Sequence, residues 1–177
     1  MAGALDHARW MGEALALARK ARELGEIPVG AIVVHHGADM EPRIIGRGFN
    51  RREVDDDPSA HAEIVAMREA GRVLKSWRLL ACTLYVTLEP CPMCAGAMVQ
   101  GRVERVVYGC ADPKAGAVDT LYHLCTDVRL NHRLEVVAGV EAAAAAGVLK
   151  EFFAARRSER AREGDGGRAG GHSRAEG

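Results

Sequence analysis

Two cysteines, Cys91 and Cys94, have the spacing and the local setting of a metal-ligand pair. They flank the start of a predicted helix, in which Pro92 fits the first helical position. Both sulfurs then lie near free backbone amides and the positive end of the helix dipole, which favour thiolate over thiol. The pair therefore predicts two anionic ligands for a soft metal ion.

His61 is the predicted third ligand, and Glu63 is the acid beside it. Residues 57–59, Asp-Pro-Ser, supply turn and capping residues for a second helix that starts there. One histidine and two cysteines hold zinc and leave one coordination position for water, as catalytic zinc sites do. Residues two apart on a helix face different ways, so Glu63 is a poor fourth ligand but can flank the open position. The sequence thus predicts catalytic zinc with Glu63 as the proton shuttle.

Each motif alone has a simpler explanation. A Cys-x-x-Cys pair also occurs in structural zinc ribbons and in redox sites, and a His-x-Glu pair is commonly a solvated helix start. A ribbon needs a second pair of ligands, and a redox pair makes no use of the upstream histidine and glutamate. The remaining cysteines are single: Cys82, Cys110 and Cys125. The combination of the two motifs therefore favours a catalytic zinc site.

The residues around these motifs resemble the zinc-dependent cytidine and adenosine deaminase superfamily, and within it the bacterial tRNA adenosine deaminases. The likeness runs from about Trp10 to Arg157. It rests on residues 27–31, 48–51, 60–63, 83–94, 112–116, 131–133 and 152–153. The resemblance implies hydrolytic deamination of the wobble adenosine of a tRNA anticodon to inosine, with the base turned out of the loop. It also implies an arginine-accepting tRNA as partner, and a homodimer with active sites near the subunit boundary.

The same resemblance assigns two substrate contacts. Asn50 follows a predicted strand, and the asparagine at this place in similar deaminases hydrogen-bonds the nucleoside. Asp112 opens an Asp-Pro-Lys-Ala-Gly segment, and the matching aspartate of the tRNA enzymes lies close to the RNA backbone. Without the resemblance, Asn50 is a turn former and the segment is a turn signal.

Alternating helices and strands, with one hairpin, predict an α/β protein whose mixed sheet is covered by helices on both faces. This agrees with the three-layer, five-stranded cytidine-deaminase-like fold that the resemblance implies. The predicted helices cover residues 6–25, 60–71, 91–99, 118–125 and 141–157, and the predicted strands cover 28–34, 43–49, 84–88, 104–109 and 134–138.

Composition limits the organisation and the surroundings of the protein. The 177 residues suffice for one domain, expected over residues 1–157. Residues 158–177 lack large apolar side chains and periodicity, which predicts a disordered tail. Net charge is zero, so RNA binding must depend on a local patch. Unpaired cysteines, and the lack of an N-terminal leader or a membrane-length apolar run, predict a cytoplasmic protein. The candidate RNA patch comprises Arg156, Arg157, Arg160 and Arg162.

Two other functions remain open from the sequence alone. A deaminase of a free base or nucleoside, such as guanine, cytosine or cytidine, would use the same zinc ligands and Glu63. A non-catalytic, zinc-stabilised binding module would need the ligands but not the glutamate. Residues 131–133 and 152–153 favour the tRNA substrate through the resemblance.

Overall fold

The computed structural model describes residues 6–37 and 41–166. These residues form one mixed sheet in the order β2-β1-β3-β4-β5. β1 is antiparallel to β2 and to β3, whereas β3, β4 and β5 run parallel. The strands are β1 (Gly30–His35), β2 (Arg43–Phe49), β3 (Cys82–Leu88), β4 (Arg105–Cys110) and β5 (Glu135–Val137), and the helices are α1 (His7–Glu23), α2 (Ala62–Leu74), α3 (Pro92–Gln100) and α4 (Ala142–Gly166).

The central strands are buried on both faces, and each face has its own pair of helices. One layer joins α1 and α4 to Ile32, Val34 and Tyr85. The other joins α2 and α3 to Val33 and Val86. Strands buried on both faces are apolar at successive positions, as these are. The arrangement confirms the predicted three-layer α/β/α fold with five strands. Within the described ranges, no helix is long and apolar enough to cross a membrane.

Two glycines of β2 let α2 lie directly on the sheet. A Cβ at Gly48 would overlap the carbonyl oxygen of Ala62, and a Cβ at Gly46 would overlap that of Ala66. Only glycine permits so close an approach of two backbones. The contact fixes the N-terminal end of α2, and with it His61, against the sheet.

The ends of the first two helices test the capping predictions. Asp6 caps α1 as predicted, because its side chain accepts a hydrogen bond from the backbone of Arg9 at 3.0 Å. The cap of α2 is His61 itself, which makes no side-chain capping bond, so the predicted cap within residues 57–59 is wrong. The helix also continues past its predicted end and stops at Lys75, in the left-handed conformation with φ +50°.

The helix predicted over residues 118–125 is wrong. Residues 111–134 consist of turns and irregular backbone. The backbone amides of Val118, Asp119 and Thr120 donate to the carboxylate of Glu89. Those of Tyr122 and Leu124 donate to the carbonyl oxygens of Gly116 and Ala117, six and seven residues back, and not to those four residues back. The segment therefore lacks the bonds to carbonyl oxygens four residues back that define an α-helix.

Helix α4 continues through Gly166, beyond the predicted domain boundary at residue 157. The start of the segment predicted to be disordered is therefore helical. Alanine, arginine and glutamate have high helix propensity, and they extend a helix already anchored by the buried ring of Phe152. Residues 167–177 of the predicted tail lie outside the described residues, and the boundary at 157 stays a prediction.

Candidate active site

The three predicted metal ligands meet where two helices begin. His61 is the N-cap of α2, and Cys91 is the N-cap of α3, with Pro92 as the first helical residue. Nδ1 of His61 lies 3.7 Å from the sulfur of Cys91 and 3.7 Å from the sulfur of Cys94. All three ligand atoms lie within 4.8 Å of one another.

A tetrahedral zinc ion fits this donor set. Bonds of about 2.05 Å to nitrogen and about 2.3 Å to sulfur, at a tetrahedral angle, place the two atoms about 3.6 Å apart. The observed separations of 3.7 Å match that value. Among the residues that the structure describes, this is the single cluster of three or more such side chains suited to a metal ion.

The three side chains are close enough to share protons through hydrogen bonds. Hydrogen bonds from Cys94 and from His61 lower the pKa of the Cys91 thiol to about 4, despite its burial. The bond with Cys91 raises the pKa of the His61 imidazole. The bond with Cys91, together with burial, raises the pKa of Cys94. A metal ion in place of the shared protons lets both sulfurs be thiolates.

Glu63 lies in the first turn of α2 and is only 4% exposed. Burial raises the pKa of its carboxyl, and the negative charge of Cys91 raises it further. Its oxygens lie outside the ligand cluster. A carboxyl whose pKa is raised toward neutrality is suited to taking up a proton and giving it back.

A cavity of about 160 Å³ lies beside His61, Cys91 and Glu63. Sites for drug-sized ligands span roughly 300–1,000 Å³, so this cavity suits a smaller ligand, such as one heterocyclic base. Asn50 and Asp112, the predicted substrate contacts, line the same cavity as His61 and Cys91, two of the three predicted metal ligands. The other lining residues are Ile27, Val29, Arg52, Ala62, Leu88, Glu89 and Ala115.

The amide of Asn50 is held in one orientation by Glu26. Nδ2 of Asn50 donates to Glu26 at 2.9 Å, and both residues are buried. A carboxylate has no hydrogen to donate, so the amide nitrogen must face it, and Oδ1 is the acceptor that Asn50 offers to a ligand. The other Glu26 oxygen accepts from the backbones of Glu53 and Val54. Sequence reasoning missed Glu26, because nothing in its local sequence signals this contact.

Glu89 is a second buried carboxylate at the cavity, and its environment is the opposite of that of Glu63. Burial alone would raise the pKa of Glu89, but hydrogen bonds from Thr120 and from the backbones of Asp119 and Asp112 hold it below its usual range. Two carboxyls whose pKa values are shifted in opposite directions have different roles. Glu63 can carry a proton, whereas Glu89 stays ionised and binds backbone. Sequence reasoning missed Glu89 as well.

The side chain of Asp112 stabilises its own turn. Its carboxylate accepts from the backbones of Lys114 and Ala115 at 2.9 and 3.3 Å. The turn forms part of the cavity wall, so Asp112 shapes the cavity whatever else it contacts.

A larger cavity of about 620 Å³ adjoins the first and shares Asn50 and Arg52 with it. Its far wall is the middle of α4. There Arg156 donates to the carbonyl oxygen of Gly25 at 2.9 Å and lies 5.3 Å from the ring of Phe152. Such a surface suits RNA, because cationic side chains bind phosphates and aromatic rings stack on bases. The other α4 residues that line this cavity, here named the α4 groove, are Phe153, Arg157 and Arg160.

Comparisons with known proteins agree with this geometry. Residues 5–157 match the model of the MafB19-like deaminase family. The chain is 48% identical over 152 residues, or 86% of each chain, to the tRNA-specific adenosine deaminase of Haemophilus influenzae. It is similar to a structure solved in studies of A-to-I editing by tRNA:A34 deaminases at the wobble position, with TM-score 0.74 and 40% identity over 80% of this chain and 99% of the other. It also resembles the guanine deaminase of Nitrosomonas europaea, with TM-score 0.72 and 25% identity over 87% of each chain.

Proposed function

Because the chain belongs to the MafB19-like deaminase family, we propose that it hydrolyses adenosine to inosine in tRNA. The observation that carries this proposal is the triangle of His61, Cys91 and Cys94, with buried Glu63 beside it in a cavity that adjoins the α4 groove. The similarity to tRNA-specific adenosine deaminases supports the substrate. The metal site and the cavity support the chemistry.

His61, Cys91 and Cys94 would hold zinc, which with three protein ligands lowers the pKa of a bound water and so supplies a nucleophile at neutral pH. Glu63 takes up the proton that the water loses. It then delivers that proton to the departing amino group, which leaves as ammonia. Adenosine and water thereby become inosine and ammonia, with Glu63 returned to its starting state.

We propose that the target is the wobble adenosine of an arginine-accepting tRNA. The similarity to a tRNA:A34 deaminase structure supports the position. A cavity that admits one base requires the base to leave its stack, and loop bases are already partly unstacked. Asn50 would hold the nucleoside through its Oδ1, with Asp112 close to the RNA backbone. The α4 groove would hold the nucleotides on either side.

We also propose a homodimer that works in the cytoplasm. The outer surface of α2 and α3 carries an apolar hollow of about 450 Å³, with Trp77 64% exposed at its edge. A second copy of the chain would cover that surface and lie near the active site. All five cysteines are free thiols, as is usual in a reducing compartment.

Mass spectrometry of a mixed tRNA pool after incubation with the protein tests this function. The expected result is a gain of about one dalton at an anticodon adenosine, because an amino group is replaced by oxygen. Glu63→Ala protein, incubated in parallel, should leave the pool unchanged.

The free-base alternative is supported by the similarity to a guanine deaminase. Guanine, cytosine and cytidine should therefore be assayed beside an anticodon hairpin. Strong turnover of a free base, with none on the hairpin, would replace the tRNA proposal. The non-catalytic binding module would gain support if Glu63→Ala left biological function unchanged.

A further inference from the structure

We propose that Glu89 is a positioning residue that sets the part of the cavity wall formed by Asp112 and Ala115. This rests on the proposed deaminase function of the same site. Glu89 is only 2% exposed, lines the cavity and has no cationic partner among the described residues. Backbone amides and one hydroxyl satisfy its carboxylate instead.

The two carboxylate oxygens hold two ends of one irregular segment. Oε1 accepts from the backbone amides of Val118, Asp119 and Thr120, at 3.2, 2.8 and 2.9 Å. Oε2 accepts from the backbone amide of Asp112 at 3.0 Å and from the hydroxyl of Thr120. Residues 112–120 contain only turns and irregular backbone, so Glu89 supplies hydrogen bonds that regular secondary structure does not provide here.

Gly116 shows how tightly the segment closes around this carboxylate. A Cβ at Gly116 would overlap Oε2 and Cδ of Glu89. The absence of a side chain at Gly116 is therefore what allows the turn to wrap over the carboxylate. The turn at Gly116 and the carboxylate of Glu89 therefore pack in direct contact.

The same short stretch of chain carries a metal ligand. Cys91 follows Glu89 by two residues, and the carbonyl oxygen of Pro90 accepts from the backbone of Ala117 at 2.8 Å. The wall formed by Asp112 and Ala115 is thus tied to the residues that place Cys91. Glu89 thereby fixes the separation between the wall that contacts the base and the centre at which the base reacts.

Glu89→Gln tests this role, because it keeps the shape but replaces one acceptor by a donor. An amide nitrogen at the Oε1 position would face three N–H groups. At the Oε2 position it would face only the Asp112 amide, since the Thr120 hydroxyl can turn to accept. The second arrangement leaves fewer unpaired groups. The substitution should therefore release Asp112 while leaving residues 118–120 held.

The expected result is a fall in kcat on an anticodon hairpin of about tenfold or more, since displacing a bound base by about 1 Å can lower the rate by about 100-fold. The Kd of the hairpin should change by less than about twofold, because the α4 groove is intact. Zinc should stay at about one per chain. Amide hydrogen exchange at Asp112 should accelerate, whereas exchange in β3 should not.

Thr120→Val is the milder variant, and Asp119→Asn is the matched control. The first removes one bond to Glu89 and should lower kcat by about two- to fivefold. The second alters the same segment but retains the acceptor for the hydroxyl of Tyr108, at 2.8 Å, and should leave kcat unchanged. If Glu89→Gln does not fold, the kcat of Thr120→Val tests the proposal instead.

Three results would overturn the proposal. They are an unchanged kcat in folded Glu89→Gln protein, a loss of zinc that accounts for the lost activity, and a loss of kcat that only follows the unfolded fraction. Wild-type protein that turns over a free base but not the hairpin would instead contradict the proposed tRNA substrate. The variants would then be compared on that base, and the exchange result at Asp112 does not depend on the substrate.

Discussion

The metal side and the substrate side of the cavity are built in different ways. The proposed metal ligands lie at helix starts, so their positions are related to short motifs in the sequence. Asn50 and Asp112 are held by carboxylates 24 and 23 residues away, Glu26 and Glu89. The chemistry is thus encoded locally, whereas the shape offered to the substrate depends on buried contacts between distant residues. Changes on the metal side should abolish the reaction, and changes on the substrate side should reduce its efficiency.

Cys94→Ala should have the largest effect, because it removes one of the three ligands. We expect the purified variant to lose the zinc, about one per chain in the wild type, and to show no deamination. Metal analysis by atomic emission checks the first outcome and an inosine assay checks the second. Cys125→Ala removes another buried thiol, one that is not part of the three-residue cluster, and should retain zinc. Full metal occupancy in Cys94→Ala would show that the ligand assignment is wrong.

Glu63→Ala should separate the proton shuttle from the metal. We expect zinc content and melting temperature close to the wild type, with kcat lowered by about 100- to 10,000-fold, the usual contribution of a general acid–base group. Single-turnover deamination of an anticodon hairpin measures the loss. Glu69→Ala, on an exposed face of the same helix, is the control and should keep its kcat. Normal turnover by the Glu63→Ala enzyme would contradict the proposed mechanism.

Glu26→Gln should show how far the substrate side depends on a distant carboxylate. The glutamine oxygen would stay with the backbone amides of Glu53 and Val54, so its nitrogen would face Asn50. The Asn50 amide must then turn over and offer nitrogen instead of oxygen to the base. We expect kcat/KM to fall about fivefold to 100-fold, as for a misplaced buried hydrogen bond, with zinc unchanged.

A double-mutant cycle checks that this effect passes through Asn50. In an Asn50→Ala background, Glu26→Gln should cause little further loss, because the amide that it reorients is gone. Additive losses would mean that Glu26 acts by another route.

The contrast between short motifs and contacts of distant residues also explains what could be predicted from the sequence. Motif spacing was enough to predict that His61, Cys91 and Cys94 lie at helix starts, although the predicted cap within residues 57–59 was wrong. Short apolar runs were enough to predict the five strands. The helix predicted over 118–125 was wrong because contacts from outside the segment set its backbone. Glu89 binds the amides of residues 118–120, and the amides of Tyr122 and Leu124 donate to carbonyl oxygens that precede the segment. Helix propensity depends on neighbours along the chain, and it carries no information about a contact with Glu89, which follows β3.

The smallest expected effect is in the α4 groove, where the contacts are exposed and screened by salt. Arg160 lines the groove and Arg162 does not, although both lie on the extension of α4 past residue 157. Arg160→Gln should raise the Kd of the hairpin about two- to threefold and reduce the salt dependence of log Kd by about 0.7–0.9, the slope of one phosphate contact. Arg162→Gln makes the same change in charge, and it should change neither the Kd nor its salt dependence.

Deleting residues 158–177 tests the same surface on a larger scale. The fold and the zinc should be retained, because Phe152 anchors α4 before the deletion begins. The rise in Kd should equal that of Arg160→Gln if Arg160 is the one RNA contact in the deleted segment. A larger rise would place further contacts beyond it, and an unfolded product would show that the segment belongs to the core. Equal effects on Kd with an unchanged kcat would confirm that binding on α4 and reaction at Glu63 are separable.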